Sequence, residues 1–340
     1  MKYVNVGRTG AKVSQIGLGG GSFGNRAEHL LELDEARPVV KRAIDLGINF
    51  FDTGIVYSQG RSEEILGELL SEYRDQCVIC DKLTPEKGYG LSRGGILKQM
   101  QTVLKRFQTD HLDFCLIHRW DWSVPIEETL RTLNRLIQEG KTRYIGASSM
   151  YAWQFAKALR TSEHLGLERF EAMECQWNLC YREEEREMVP LCKDNEVGII
   201  PWSPLAKGFL GGRYKRRETP DSARYRSMST LRRFFFRPED FDVLERVEEV
   251  AREKGVTTSQ MALAWLLHKD VTSPIIGASK VEHVESAVEA LDIRLSSGDI
   301  RRMEEPYKYR EIEGFGGPDY FERRAKAEEE EARARGFRVT

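Results

Sequence analysis

The sequence predicts an α/β fold, a closed (β/α)8 barrel of the TIM type carrying an N-terminal β-hairpin and a long basic loop after its seventh strand. Three observations predict it. Eight short runs are mostly apolar: "VSQIGL", "INFFD", "CVICDK", "LDFCLIH", "RYIGAS", "AMECQ", "VGIIPW" and "SPIIG". Strands buried on both faces read this way, which points to a parallel sheet. A helical segment follows each run, and no break in composition divides the chain, so one closed barrel fits better than two open sheets. The expected domain covers residues 1–340, with the hairpin over 1–13 and a charged helical extension over 318–340.

The hairpin is read from "KYVNV", the turn "GRTG" and "AKVSQIGL". The amphipathic segments are "DEARPVVKRAIDLG", "SEEILGELLSEY", "GGILKQMQTVLKRF", "PIEETLRTLNRLIQEG", "YAWQFAKALRTSEHLG", "EEREMVPLCKDNE", "VLERVEEVAREKG" and "VEHVESAVEAL". Pro125 to Gly140 shows the logic. A first-turn proline and Glu127 and Glu128 near the positive end of the dipole favour a helix start. Leu130, Leu133, Leu136 and Ile137 form one stripe, and Gly140 supplies the stop. The basic stretch Arg213 to Arg237 separates the seventh strand from its helix. Its length suits either a lid over anionic groups or a solvated loop whose "FFF" packs locally or against another subunit. The tail Phe321 to Phe337 reads as an exposed charged helix without chemistry of its own.

A net charge of -2 argues against a nucleic-acid partner, since such domains carry a strong basic bias. The start "MKYVNVGRTG" has no apolar core of a leader, and no run approaches the ~18 apolar residues of a membrane span, so a cytoplasmic protein is expected. Six cysteines in a chain of this length do not make a disulfide framework. Cys77 and Cys80 of "CVIC" lie in a strand, where positions three apart face opposite sides, so shared metal ligation is not expected.

The stretch "GLGGGSFG" matches G-x-G-x-x-G from Gly19. In a dinucleotide fingerprint the last glycine opens a helix directly and an acid follows ~20 residues on. Here "NRAEHLLEL" intervenes and Asp52 stands 28 positions after Gly24, so the glycines read as a loop at the barrel mouth.

Reactive groups of such barrels come from the C-terminal ends of strands. Those ends supply Asp52, Lys82 and His118, and Tyr57 follows Asp52 by five residues. Each has a bland reading alone: a turn cap, a solvated end, a satisfied histidine. Together they suit proton delivery to a carbonyl oxygen during hydride reduction. A phenol of pKa ~10 is a weak donor at neutral pH. An ammonium ~4 Å away favours phenolate by ~4 kcal/mol at an effective dielectric of about 20. Asp52 would hold that lysine, and His118 would align the substrate oxygen.

"FFDTGIVYSQGRSEEILG", "DK", "LIHRWD" and "GKTRYIGASS" resemble the aldo-keto reductases, over about Val4 to Leu295. "PIEETLRTLNRLIQEGKTRYIGASSMYAWQF" looks especially like the bacterial branch acting on open-chain or sugar-like carbonyls. The resemblance implies an Asp52, Tyr57, Lys82 and His118 tetrad, with NADP(H) extended across the barrel mouth. It implies that Gly20 and Gly21 let backbone approach the nicotinamide, that Ser148 and Gln176 hold its carboxamide, and that Ser149 is a further cofactor-binding residue. Trp202, Ser203, Pro204, Leu205, Lys207, Gly208 and Leu210 would run along the ribose and pyrophosphate. Gly277, Ser279 and Lys280, ahead of a helix, would meet the 2′-phosphate, with His283 in that helix a further cofactor-binding residue. Arg119 and Trp120 would shape the substrate pocket.

Departures from the family pattern are Ser149 for Asn, Ser58 for the Gly after the tyrosine, and His283, Ser286 and Ala287 for Gln or Arg, Glu and Asn. The last set leaves NAD(H) open beside NADP(H). The implied activity is reduction of an aldehyde or ketone. A nucleotide-binding barrel with little turnover, like the family's channel-associated relatives, is the second reading. A small-molecule carbonyl is the expected partner, with a homo-oligomer left open.

Overall fold

The computed structural model describes the chain except for residues 86–89, 217, 219, 313, 314, 316, 318–325 and 327–340. The charged extension expected over 318–340 therefore lies outside the described residues, apart from Lys326. Strands β1 (Tyr3–Asn5) and β2 (Lys12–Ser14) pair antiparallel, with Val4 opposite Val13. Eight parallel strands then close a barrel: β3 (Gly17–Gly19), β4 (Phe50–Asp52), β5 (Val78–Leu83), β6 (Leu112–Ile117), β7 (Thr142–Ser148), β8 (Phe170–Gln176), β9 (Gly198–Trp202) and β10 (Ile275–Ile276). Each pairs with the next, and β10 closes onto β3. The fold is the (β/α)8 barrel with its hairpin.

Helices α1 (Leu33–Asp45), α2 (Arg61–Leu70), α3 (Arg93–Phe107), α4 (Ile126–Gln138), α5 (Ala152–Leu165) and α6 (Met188–Asp194) fill the first six connections. Their ends follow the local chemistry. Glu32 and Glu35 form a capping box on α1, and the Ser92 hydroxyl accepts from Gly95 N–H at the start of α3. Helix α4 buries Leu130, Leu133 and Leu136, and Gly140 beyond its end takes φ 68°. No helix among the described residues is long and apolar enough to cross a membrane.

The connection after β9 departs from a featureless loop. It holds a 3-10 turn at Ala206–Gly211 and the short helices α7 (Ala223–Ser227) and α8 (Ser229–Phe234), then α9 (Pro238–Lys254). Phe209 packs edge-on against Phe236 and Phe241, each at 5.1 Å, so the aromatic run is used locally. A further helix, α10 (Thr258–Leu267), follows α9, and α11 (Val281–Glu289) and α12 (Ser297–Glu304) complete the chain's described helices. The sequence reading passed over α10 because "MALAWLL" is buried all round and shows no amphipathic stripe.

The core has two parts. The barrel interior is filled by Phe50, Cys80, Phe114, Leu116, Ala172, Ile200 and Ile275, with Val6 and Val13 of the hairpin joining from below. A larger cluster lies between strands and helices. Cys77 belongs to the outer cluster and Cys80 to the interior, so the two thiols face opposite sides, as the strand period requires. The hairpin seats closely: a Cβ on Gly198 would stand 2.6 Å from Val6 Cγ1 and 2.9 Å from Gly7 N. Gly198→Ala is expected to destabilise the protein by about 1–3 kcal/mol through overpacking. Gly94→Ala, in open space on α3, is expected to stabilise it by about 0.5–1 kcal/mol. Thermal unfolding of the two variants beside the wild type checks both signs.

Candidate active site

Strand period aims the site. On β5, Cys80 faces the interior, so Lys82 does too, one layer nearer the mouth. Asp52 ends β4, His118 follows β6, and Tyr57 opens the 3-10 turn Tyr57–Gly60. Lys82 is 0% exposed, which removes the reading of a solvated strand end. Its ammonium donates to both Asp52 carboxylate oxygens at 2.6 Å. It also lies 2.8 Å from Glu174 Oε2 on β8. The same nitrogen sits 5.6 Å from the centre of the Tyr57 ring, whose edge meets His118 at 5.7 Å and 74°. The four residues expected from three neighbouring strand ends and one loop do come together.

The charges explain one another. Burial alone would lower the Lys82 pKa, but Asp52 and Glu174 outweigh it and hold the ammonium well above its ordinary value. Burial raises the Asp52 carboxyl, with Lys82 opposing. Burial and the Asp52 charge push Glu174 up to about 7 against the pull of Lys82 and Arg119. Burial likewise lifts the Tyr57 phenol; Lys82 lowers it, while Glu174 and Asp52 raise it. The lysine acts in the direction its role requires, but two carboxylates rather than one offset it.

Above this cluster opens a cavity of about 1050 Å³. Of the residues singled out in the sequence, Asp52, Tyr57, His118, Arg119, Gly21, Ser148, Trp202, Ser203, Pro204, Leu205, Lys207, Gly208 and Gly277 line it. Others stand behind the wall. Gly20 is pinned against α2, where a Cβ would lie 2.4 Å from Ser62 Oγ. Ser149 accepts from the Trp202 indole N–H at 2.9 Å and so fixes that ring. Its φ of 44° is a conformation asparagine tolerates well, which accounts for the usual residue there. Leu210 is core. Gln176 is buried with both amide atoms unpartnered, and Trp120 packs against Trp153 at 6.1 Å. Ser279 donates its N–H to His283 Nδ1 at 3.3 Å beyond β10, with Lys280 exposed beside them. Ser58 takes φ 47°, the reason glycine is usual after the tyrosine, and its hydroxyl donates to the Phe23 carbonyl at 3.2 Å.

Several wall residues lie outside those singled out in the sequence, Glu174 and Arg224 among them. Glu174 was legible in principle, since it lies two positions before Gln176 on the inward face of an apolar strand. Arg224 of α7 lines the cavity from within the basic stretch. Burial lowers its pKa, Arg213 adds to that, and among the described residues no carboxylate pairs with it. The loop after β3 and this stretch both line the cavity, and they touch: His29 Nδ1 lies 2.7 Å from Ser227 Oγ, and Arg226 pairs with Glu28 at 3.2 Å. No group of three or more His, Cys, Asp or Glu side chains among the described residues is placed to hold a metal.

The sequence profile described as "Aldo/keto reductase family" matches residues 15–308. The chain belongs to the aldo/keto reductase family. It is 38% identical to the aldo-keto reductase dtxS3 of Metarhizium robertsii, over 92% of each chain. It is 35% identical to the versiconal hemiacetal acetate reductase of Aspergillus parasiticus, over 90% of this chain and 97% of that protein. It is 37% identical to the aldo-keto reductase AMT2 of Alternaria alternata, over 92% and 93%. These relatives are fungal, so the expected likeness to a bacterial branch finds no support in them. Aldo/keto reductase membership makes the chain an oxidoreductase.

In this reductase, removing the ammonium leaves Asp52 and Glu174 buried face to face. Lys82→Met is expected to cost about 3–5 kcal/mol at neutral pH. Both carboxyls would then titrate above their unfolded values, so the native state binds more protons and its stability falls as pH rises. The melting deficit of Lys82→Met against wild type is expected to be larger at pH 8 than at pH 5, read by thermal scans at both.

Proposed function

We propose that the protein is an NADP(H)-dependent carbonyl reductase in which Tyr57 is the proton donor to an aldehyde or ketone oxygen. The observation that carries the reading is the buried Lys82 ammonium, gripped by Asp52 and set beside the Tyr57 ring at the floor of the cavity. In reduction the Tyr57 O–H bond breaks as an O–H bond forms on the substrate. Lys82 stabilises the phenolate left behind, and oxidation runs the proton the other way. His118, edge-on to Tyr57, is placed to donate to the same substrate oxygen.

The residues present fit a nicotinamide dinucleotide. The Trp202 indole is tethered at its edge by Ser149, which leaves a face for an aromatic ring. Ser148 on the wall and the orphaned amide of Gln176 offer the donor and acceptor a carboxamide needs. Lys207, Arg224, Arg213 and Lys280 gather positive charge toward the β10 end. His283, lowered by burial and then by Arg213, Arg224 and Lys280, registers that field. A cationic cluster of this kind suits phosphates, including a 2′-phosphate. Bound there, the reduced dinucleotide would supply the hydride. The chain acts as a single barrel domain, one closed barrel supporting one site.

Steady-state oxidation of NADPH and of NADH against a panel of aldehydes and ketones tests the reading. Tyr57→Phe is expected to lower kcat by about 10²–10⁴ while NADPH binding by fluorescence titration is retained. Tight NADPH binding with negligible turnover on every carbonyl would instead favour a nucleotide-binding module. Arg224→Ala is expected to raise the KM for NADPH about tenfold or more and to change that for NADH little. Equal effects on the two cofactors would remove Arg224 from the phosphate site.

A further inference from the structure

The Lys82 ammonium has two carboxylate partners where one would hold it. Asp52 takes it with both oxygens at 2.6 Å, and Glu174 approaches the same nitrogen at 2.8 Å from the other side of the barrel mouth. All three groups are buried, with Glu174 2% exposed. With both carboxyls ionised, two anions and one cation leave a net negative charge beneath the phenol. We propose that Glu174 is a positioning residue of this site: it competes with Asp52 for Lys82 and thereby sets how acidic Tyr57 is. The inference rests on the carbonyl-reductase reading only for its catalytic consequence.

The groups that face Glu174 are few. Strand β4 presents Asp52, β5 presents Lys82 and Cys80, and the turn after β4 presents Tyr57. The segment after β6 presents His118 and Arg119 at the cavity wall. The flanking strands β7 and β9 set Ser148 and Ile200 opposite Glu174 in register, and neither titrates. Lys82 is thus the cation in contact with Glu174, while Arg119 acts from the wall. With Glu174 ionised, part of the Lys82 field is spent on it and Tyr57 holds its proton more tightly. With Glu174 protonated, Lys82 and Asp52 form a neutral pair and the phenol is easier to ionise. The carboxyl therefore favours Tyr57 as a neutral phenol, the form reduction needs, over phenolate, the form oxidation needs.

Glu174→Gln keeps the shape and removes the charge, with Glu174→Met as a second neutral replacement should the first fold poorly. Two readouts decide. In the full chain without cofactor, melting is followed from pH 5 to pH 8. Glu174 titrates above its unfolded value, so wild-type stability falls as pH rises through that range, and the variant lacks this loss. The melting temperature of Glu174→Gln relative to wild type is expected to rise by about 3–6 °C across it. An offset that does not change with pH means that Glu174 carries no charge in the folded cluster, and that result overturns the inference. In alcohol oxidation with NADP⁺, the limb of kcat/KM that rises with pH is expected to move down by about one to two pH units in the variant. A limb that stays in place while Tyr57→Phe abolishes turnover overturns the proposal. Should wild type turn over no carbonyl or alcohol, the reductase reading falls, and the same melting comparison in the Lys82→Met background decides the link: a pH-dependent offset that changes without Lys82 supports it, and one that stays the same overturns it.

Discussion

A fully buried ammonium is the constraint from which the rest of this site follows. Taking Lys82 out of water is costly unless anions accompany it, and the barrel supplies Asp52 from one neighbouring strand and Glu174 from across the mouth. Once fixed there, the ammonium is a permanent positive charge in a low-dielectric floor, where its field on Tyr57 is strong. The barrel makes this arrangement possible because period-two alternation stacks inward residues in layers. Apolar Phe50, Phe114, Ala172 and Ile200 fill the lower layers, and the polar set occupies the layer nearest the mouth. Stability and chemistry are thereby divided along the barrel axis.

Much of the fold was legible because parallel strands buried on both sides leave little room for polar residues. The eight apolar runs fall on the eight barrel strands, and the quartet Asp52, Tyr57, Lys82 and His118 converges because strand ends share one rim. What escaped the sequence has physical causes. Helix α10 is apolar on every face and carries no period to read. Glu174 hid inside "AMECQ", where an acid among apolar neighbours gives no sign of its partner until the barrel closes and brings Lys82 to it. Arg224 was one of many basic residues in a single stretch, and only the short helix α7 singles it out by turning it toward the cavity.

Two of the departures from the family pattern are compensated locally. Serine in place of glycine after Tyr57 adopts φ 47°, and its side chain occupies space next to Gly24, where a Cβ would lie 2.0 Å from Ser58 Oγ. Serine at 149 keeps the left-handed turn and gains the indole of Trp202 as a donor. Sequence comparison registers these as losses. In three dimensions each is an exchange with a neighbour that the strand ends bring into contact.

The hairpin carries a consequence beyond stability. With Val6 and Val13 stoppering the far end and the barrel shaft packed with apolar side chains, the reacting layer communicates with solvent at one rim alone. Whatever reaches Tyr57 from solvent passes through the cavity that this rim opens. The loop after β3 and the stretch after β9 both border that opening and are tied to each other through His29 and Ser227, so a change in either segment reshapes the one entrance they share.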